Sequence, residues 1–145
     1  MQALPAAASD LHAIEQVLAA YTRSVSEADL ATFESLLLDE SIPFHGLADG
    51  RFAATDGAGL ASVQNYAGFR KSVFESGRQL RQRFYDVRIA HEGDLAQVSL
   101  RFETRVAGTD SGGEGWKTLA LLRVGTRWKI ASEFYTVGPI KAAAR

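Results

Sequence analysis

Residues 116–136 read WKTLALLRVGTRWKIASEFYT, and this stretch decides the fold. On both sides of the pair Gly125–Thr126 the side chains alternate, so that a hydrophobic residue recurs at every second position. A period of two is typical of a β-strand with one buried face, and a glycine-containing pair between two such runs predicts a tight hairpin. We therefore predict strands at Trp116–Val124 and Arg127–Val137.

Each of these two strands is expected to direct one face into a core. On the first strand we assign inward positions to Trp116, Thr118, Ala120, Leu122 and Val124. On the second strand we assign them to Trp128, Ile130, Ser132, Phe134 and Thr136. The opposite face then carries apolar residues among charged ones, namely Leu119, Leu121, Ala131 and Tyr135. An apolar patch rimmed by both charge signs suits a two-fold interface, so we predict a homodimer through it.

Two more alternating runs, Phe84–His91 and Leu95–Ala107, precede the hairpin and complete an antiparallel meander. Strands of about 13 residues would extend ~43 Å, so we expect them to twist and curve. The first half has helical spacing instead, at residues 11–25, 30–37 and 62–74. The expected fold class is α+β, with N-terminal helices packed in the concave face of a strongly curved antiparallel sheet. A cavity is expected inside that face.

Composition narrows the range of functions. The 145 residues carry a net charge of -1 and no cysteine, which excludes a disulfide framework, a zinc–thiolate site and a thiol nucleophile. The balanced charge argues against nucleic acid as a partner, and no apolar run is long enough for a membrane span or a signal peptide. We expect a tail at 1–9, a single domain at 10–140, and a cytoplasmic location. The three histidines show no metal-ligand spacing, so neither a metal nor a cofactor is expected.

The opening VLAAYTRSVSEADLATFESLLLDESIPFHG (Val17–Gly46) and the closing Trp116–Thr136 resemble the nuclear transport factor 2-like superfamily, also called SnoaL-like or cystatin-like. The close is most similar to its lumazine-binding branch. This resemblance implies a cone-shaped fold and a tendency to form dimers. The superfamily includes isomerases, dehydratases, cyclases, hydrolases and non-catalytic modules, so it implies no single reaction.

The resemblance also suggests two catalytic candidates. In the ketosteroid isomerase pattern a tyrosine on the first helix binds the substrate oxygen and an aspartate at the end of the first strand transfers the proton. Tyr21 and His45 fall on these positions. An imidazole can take and return a proton near neutral pH, so His45 could act as the general base in place of the aspartate. The alternatives are that His45 only bonds backbone or water, and that Tyr21 is simply a core residue.

Further ligand-binding candidates are residues that we expect on the inner surface or at the mouth of the cone. They are Tyr66, Phe69, Arg83, Phe102, Thr104, Trp116, Thr118, Ser132 and Phe134. Residues 70–88 carry an excess of positive charge, and if Gln82 and Arg83 guard the mouth, an anionic ligand is favoured. The alternatives are a solvated basic face and a cone that is filled by its own aromatic rings.

Three functions follow from these observations. The first is a small-molecule-binding domain with a hydrophobic pocket. The second is a cofactor-independent isomerase, dehydratase or cyclase that uses His45 as general base and Tyr21 as oxygen-binding donor. The third is a structural dimerisation module. The sequence leaves the choice open, and it does not establish whether the protein is an enzyme.

Overall fold

The computed structural model describes residues 3–48 and 64–141. Within these residues, the first half of the chain forms three helices and one short strand. They are α1 (Ala3–Glu27), α2 (Leu30–Ser35), β1 (Phe44–Ala48) and α3 (Tyr66–Phe74). Four long strands follow, β2 (Leu80–Glu92), β3 (Leu95–Val106), β4 (Gly112–Val124) and β5 (Arg127–Pro139). The predicted succession of helices and meander is confirmed.

Local features of the chain account for where α1 and α2 begin. α1 extends through most of the segment predicted as a tail, and Pro5 falls near its start, where a missing N–H costs no helical bond. Asp29 caps α2 by accepting a hydrogen bond from the Thr32 N–H at 3.1 Å. The predicted start of the third helix at residue 62 lies outside the described residues. No helix among those described is long and apolar enough to cross a membrane.

The five strands form one sheet in the order β1-β5-β4-β3-β2. β1 runs parallel to β5, and the other neighbours are antiparallel. A buried cluster between the helices and one sheet face includes Ile14 and Leu18 from α1, Phe33 from α2 and Phe69 from α3. The α+β class with a curved, mainly antiparallel sheet is thus confirmed.

A bulge in β5 determines which side chains reach this core. Leu121 pairs with Ile130, but Ala120 pairs with Ser132, so Ala131 is an extra residue in β5. Because side chains alternate along a strand, one extra residue exchanges the two faces beyond it. β5 therefore directs even-numbered residues inward before the bulge and odd-numbered residues inward after it.

The predicted inward face of β4 is wrong. Lys117, Leu119 and Leu121 are buried, whereas Trp116 is 49% exposed. Beyond the bulge the predicted inward face of β5 is wrong as well, since Phe134 is 41% exposed and Tyr135 is buried. The cause is the hairpin register, which pairs Leu121 with Ile130 and so places the odd-numbered residues of β4 on the core side.

The same register buries most of the residues that were predicted to form the dimer surface, so that prediction is wrong. Leu119, Leu121 and Tyr135 belong to the hydrophobic core of the chain itself. Ala131 occupies the bulge between the two faces. Residues packed inside one molecule are not accessible to a second copy, so any dimer must use other side chains.

A close approach between β4 and β5 gives a first prediction. A Cβ atom at Gly115 would overlap the main-chain carbonyl group of Thr136, which belongs to a paired strand and cannot rotate away. We expect Gly115→Ala to lower the free energy of unfolding by about 1–3 kcal/mol, the usual cost of overpacking. Urea denaturation followed by circular dichroism measures the change.

Gly68→Ala is the matched control, because Gly68 lies in α3 and an added Cβ atom would meet a side chain, the Gln64 Cγ atom at 3.1 Å, and not the main chain of a neighbouring strand. Alanine in a helix is favoured over glycine by about 0.5–1 kcal/mol, which offsets this contact, so the variant should lose less stability than Gly115→Ala. A fully stable Gly115→Ala variant would show that the two strands do not approach each other as described.

Candidate functional site

A buried cluster of three polar side chains lies between α1 and the sheet. The Lys117 Nζ atom is 2.7 Å from the Tyr21 Oη atom and 2.8 Å from the Glu133 Oε2 atom. The Tyr21 hydroxyl donates to the Glu133 carboxylate, with Oη 2.8 Å from Oε2 and 2.9 Å from Oε1. All three side chains are buried, and Lys117 and Glu133 are 1% and 0% exposed. Each polar group satisfies another within the cluster.

Different elements bring these residues together. Tyr21 lies on the apolar stripe of α1 with Ile14 and Leu18, so it faces the sheet. Lys117 pairs with Tyr135 across the β4–β5 ladder, and Leu119 pairs with Glu133, so all four residues share the core face. In an unbulged hairpin with the same turn, Lys117 and Glu133 would lie on opposite faces.

Burial governs the protonation of the cluster. Burial raises the pKa of the Tyr21 hydroxyl well above its ordinary value, and the neighbouring Glu133 raises it further. Burial lowers the pKa of Lys117, and Glu133 offsets part of that change. Tyr21 therefore stays protonated and can donate to Glu133 while it accepts from Lys117.

Aromatic rings surround the ammonium group. The Lys117 Nζ atom is 4.6 Å from the ring centroid of Tyr21, 4.8 Å from that of Tyr135 and 4.9 Å from that of Phe102. The rings of Phe84 and Phe69 lie at 5.7 and 5.8 Å. Ring faces attract a cation and at the same time keep water away from it. The environment of this amine is therefore largely apolar.

A cavity of about 300 Å³ adjoins the cluster. This volume is at the small end of the ~300–1,000 Å³ range of ligand pockets. Lys117 forms part of the cavity wall, whereas Tyr21 and Glu133 lie behind it. The apolar part of the wall consists of Phe69, Val73, Leu80, Phe102, Val106, Tyr135 and Val137. The arrangement is a chamber with one apolar side and one buried amine in its wall.

Polar groups occupy another part of the wall. The Gln82 Nε2 atom donates to the Thr104 Oγ1 atom at 3.0 Å. The Gln82 Oε1 atom is buried and has no hydrogen-bond partner among the described residues. Arg78 is an exposed lining residue, and its guanidinium donates to the Ser72 carbonyl oxygen at 3.3 Å. A buried acceptor without a partner is costly, so a bound molecule with a donor group would be favoured at Gln82.

Several predicted site residues meet at this cavity. Phe69, Phe102 and Thr104 line it, as expected. Tyr66 is buried next to Phe69, but its hydroxyl donates to the Glu34 carboxylate at 2.7 Å. These positions agree with the expectation of an inner surface, while their role in ligand binding stays a prediction.

The other predicted site residues lie elsewhere. Trp116, Thr118, Ser132 and Phe134 lie on the sheet face away from the core. His45 pairs with Phe134 in the ladder, and the two rings are 5.6 Å apart, while the preceding Phe44 packs inward. Arg83 is exposed and pairs with Glu103 at 3.4 Å. His45 and Tyr21 are thus on opposite faces of the sheet and cannot contact one small molecule together.

Lys117 and Glu133 are not among the predicted site residues, because the inward positions assigned to β4 and β5 leave both on the opposite face. The signal that could have found them is a pair of opposite charges on two strands joined by a tight turn. Within residues 3–48 and 64–141, no group of three or more His, Asp or Glu side chains is placed to hold a metal ion. At this cavity the described residues offer the Lys117 amine in the wall, with the Glu133 carboxylate and the Tyr21 phenol behind it.

The buried ion pair leads to a stability prediction. Lys117→Met or Glu133→Leu alone leaves the opposite charge buried without its partner, so each should lower the free energy of unfolding by about 3–5 kcal/mol. The combined variant Tyr21→Phe, Lys117→Met and Glu133→Leu replaces the whole cluster with apolar side chains. Its stability should be close to or above that of the wild type.

Urea denaturation at neutral pH measures these differences. Lys71→Met is the control, because Lys71 is an exposed lysine on α3 and its loss should leave stability unchanged. Single variants at Lys117 and Glu133 that are as stable as Lys71→Met would contradict a buried pair.

Solved structures from several bacteria share this fold. An NTF2-like protein of unknown function from Shewanella baltica OS155 is 19% identical, with a TM-score of 0.63 over 91% of this chain and 96% of that chain. A cystatin-like protein of unknown function from Nostoc punctiforme PCC 73102 is 12% identical, with a TM-score of 0.66 over 90% and 92%. A protein named "Putative Scytalone Dehydratase" from Novosphingobium aromaticivorans DSM 12444 is 12% identical, with a TM-score of 0.63 over 94% and 90%. At these identities the likeness shows the fold alone.

None of the curated proteins matches the chain. The family model of the SnoaL-like domain matches residues 14–135, from α1 to the inward-facing Tyr135 of β5. That range includes all three members of the buried cluster and the greater part of the cavity wall. The protein belongs to the family of SnoaL-like domains.

Proposed function

We propose that the protein binds a small, largely apolar molecule in the cavity, with an oxygen atom of that molecule held by Lys117. The observation that carries the proposal is a lysine, 1% exposed, in the wall of a chamber that also offers an aromatic and aliphatic side. An ammonium group has three N–H donors, and Tyr21 and Glu133 accept two of them. No third acceptor for the Nζ atom is found among the described residues, so an oxygen atom of the bound molecule would take the third N–H.

The residues that line the cavity favour a particular kind of ligand. Phe69 and Phe102 place aromatic rings in the wall, which suits a flat aromatic or alicyclic body. The unpartnered Oε1 atom of Gln82 favours a hydroxyl or amine on the same molecule. An anionic substituent, which the basic segment at 70–88 led us to expect, would meet Arg78 among the lining residues. The ligand class we favour is therefore an oxygenated ring compound with one more polar substituent.

The alternative of an isomerase-type enzyme that uses His45 as general base and Tyr21 as oxygen-binding donor receives less support. It requires His45 and Tyr21 to act on one substrate, but the sheet separates them. Membership of the lumazine-binding branch stays a prediction, and lumazine is accordingly one of the compounds to test. A binding function is the conclusion that the described residues support best.

Ligand binding can be tested with benzyl alcohol, which combines a ring with one hydroxyl group. Saturable chemical-shift changes in NMR spectra of the wild type are expected. Toluene should bind about tenfold more weakly or worse, because it cannot use the hydrogen bond to a charged group. Benzoate and lumazine extend the series to an anion and to a larger ring system.

Val106→Phe and Val124→Phe form a matched pair of variants. Val106 lines the cavity, so its enlargement should abolish binding, whereas Val124 is 51% exposed and its enlargement should have no effect. Equal binding by both variants, or no saturable binding of any of these compounds to the wild type, would refute the proposed site.

A homodimer also remains a proposal, now through other residues. Trp116 and Phe134 are exposed aromatic side chains on the outer sheet face, and such residues are enriched in interfaces. Sedimentation velocity should show a dimer for the wild type and a monomer for Trp116→Arg. Val124→Arg, at an exposed apolar residue beside the β4–β5 turn, is the control and should remain dimeric. A wild-type monomer at micromolar concentration would exclude this interface.

A further inference from the structure

Lys117 differs from the other lysines of the chain in its surroundings. Lys71 and Lys141 are exposed, and the Lys129 Nζ atom donates to the Ser35 carbonyl oxygen at 2.5 Å. Lys117 is buried among aromatic rings and has a carboxylate at 2.8 Å. It is also the lysine that forms part of the cavity wall. A cavity-bound molecule would therefore meet a desolvated amine with a proton acceptor beside it.

We propose that Lys117 forms a Schiff base with a small apolar aldehyde that enters the cavity. The inference rests on the proposed binding function, because the aldehyde must first occupy the same space. Lysines react with carbonyl groups when an apolar environment favours the neutral amine. The rings of Tyr21, Phe102 and Tyr135, all within 5 Å of the Nζ atom, provide that environment.

Glu133 supplies the proton transfer that this reaction needs. Transfer of one proton from the Nζ atom to the Oε2 atom, 2.8 Å away, gives a neutral amine and a carboxylic acid. The net charge of the cluster does not change, so no uncompensated charge is left in the apolar surroundings. Burial favours the same transfer, since it lowers the pKa of Lys117.

The covalent steps balance within the cluster. The Nζ lone pair attacks the carbonyl carbon, the C–N bond forms, and the carbonyl π electrons move to oxygen. One N–H proton passes to that oxygen, with the Tyr21 hydroxyl, 2.7 Å from the Nζ atom, as the relay. Glu133 then returns its proton to the hydroxyl of the carbinolamine, and water leaves. The products are a protonated imine, a carboxylate and one water molecule.

The cavity wall places the rest of the aldehyde. Phe69, Val73 and Val137 can contact a ring attached to the carbonyl carbon, and Phe102 lies next to both the ring and the amine. Lys117 is one of the lining residues, so the cavity is the side from which an aldehyde would approach it. The amine of an exposed lysine has neither this wall nor a buried proton acceptor.

Reductive trapping tests the inference on the wild-type protein. The protein is incubated with benzaldehyde and sodium cyanoborohydride near pH ~7, and peptide mapping by mass spectrometry locates the benzyl groups. We expect Lys117 to be labelled several-fold faster than Lys71 and Lys141, which serve as controls within the same molecule. This ratio should fall as the pH approaches the ordinary lysine pKa of ~10.4, where the exposed amines also become neutral.

Two further samples connect the labelling to the cavity. Excess benzyl alcohol and the Val106→Phe substitution should each suppress labelling of Lys117 and leave that of Lys71 unchanged. Lys117→Arg should remove this label altogether. Labelling that is no faster at Lys117 than at Lys71, or that persists at Lys117 in Val106→Phe, overturns the inference.

The experiment separates this inference from the function on which it rests. If benzyl alcohol binds in the cavity but Lys117 is not labelled, the site binds its ligand without forming an imine. If neither occurs, the proposed binding site and the inference are both wrong. The comparison of lysines within the wild type holds even if Lys117→Arg fails to fold.

Discussion

The burial of two opposite charges, on Lys117 and Glu133, is the constraint that the rest of the structure has to satisfy. The transfer of two charges out of water costs several kcal/mol for each ion, and only close mutual contact with further hydrogen bonds offsets that cost. Here Tyr21 supplies those bonds from α1 and so joins the helix to the sheet through the polar centre of the core. The bulge at Ala131 is required because it brings both charges to one face. The aromatic rings and the adjacent cavity are arranged around this pair.

The overall architecture could be predicted because β3 alternates without interruption. Its inward residues, Phe102 and Thr104 among them, were assigned correctly, and both line the cavity. β4 has apolar residues on both faces, so the charge of Lys117 was taken to indicate the solvent side. A charged residue does not indicate the solvent side when its partner is buried on the neighbouring strand, as Glu133 is.

Two further features account for what the sequence did not reveal. The tight turn pairs Val124 with Arg127, and this register places Trp116 and Trp128 on opposite faces of the sheet. The two tryptophans therefore cannot both face inward, as the predicted faces required. The bulge itself leaves little trace, since Ala131 is compatible with either a regular or a bulged strand. His45 was assigned by matching its position to the ketosteroid isomerase pattern, and in this chain the inward place on β1 is taken by Phe44.

The extra residue in β5 makes the two faces of the strand depend on how the ladder accommodates it. Many side chains could occupy position 131, which fills no place in the regular ladder. Deletion of Ala131 would leave Leu119 opposite Glu133 and the carboxylate on the core face, because the two strands would then pair without a bulge. If the full-length segment paired without a bulge, the carboxylate would instead move to the outer face and Phe134 would lie opposite Lys117. The placement of one surplus residue thus determines whether the amine in the cavity wall has a partner.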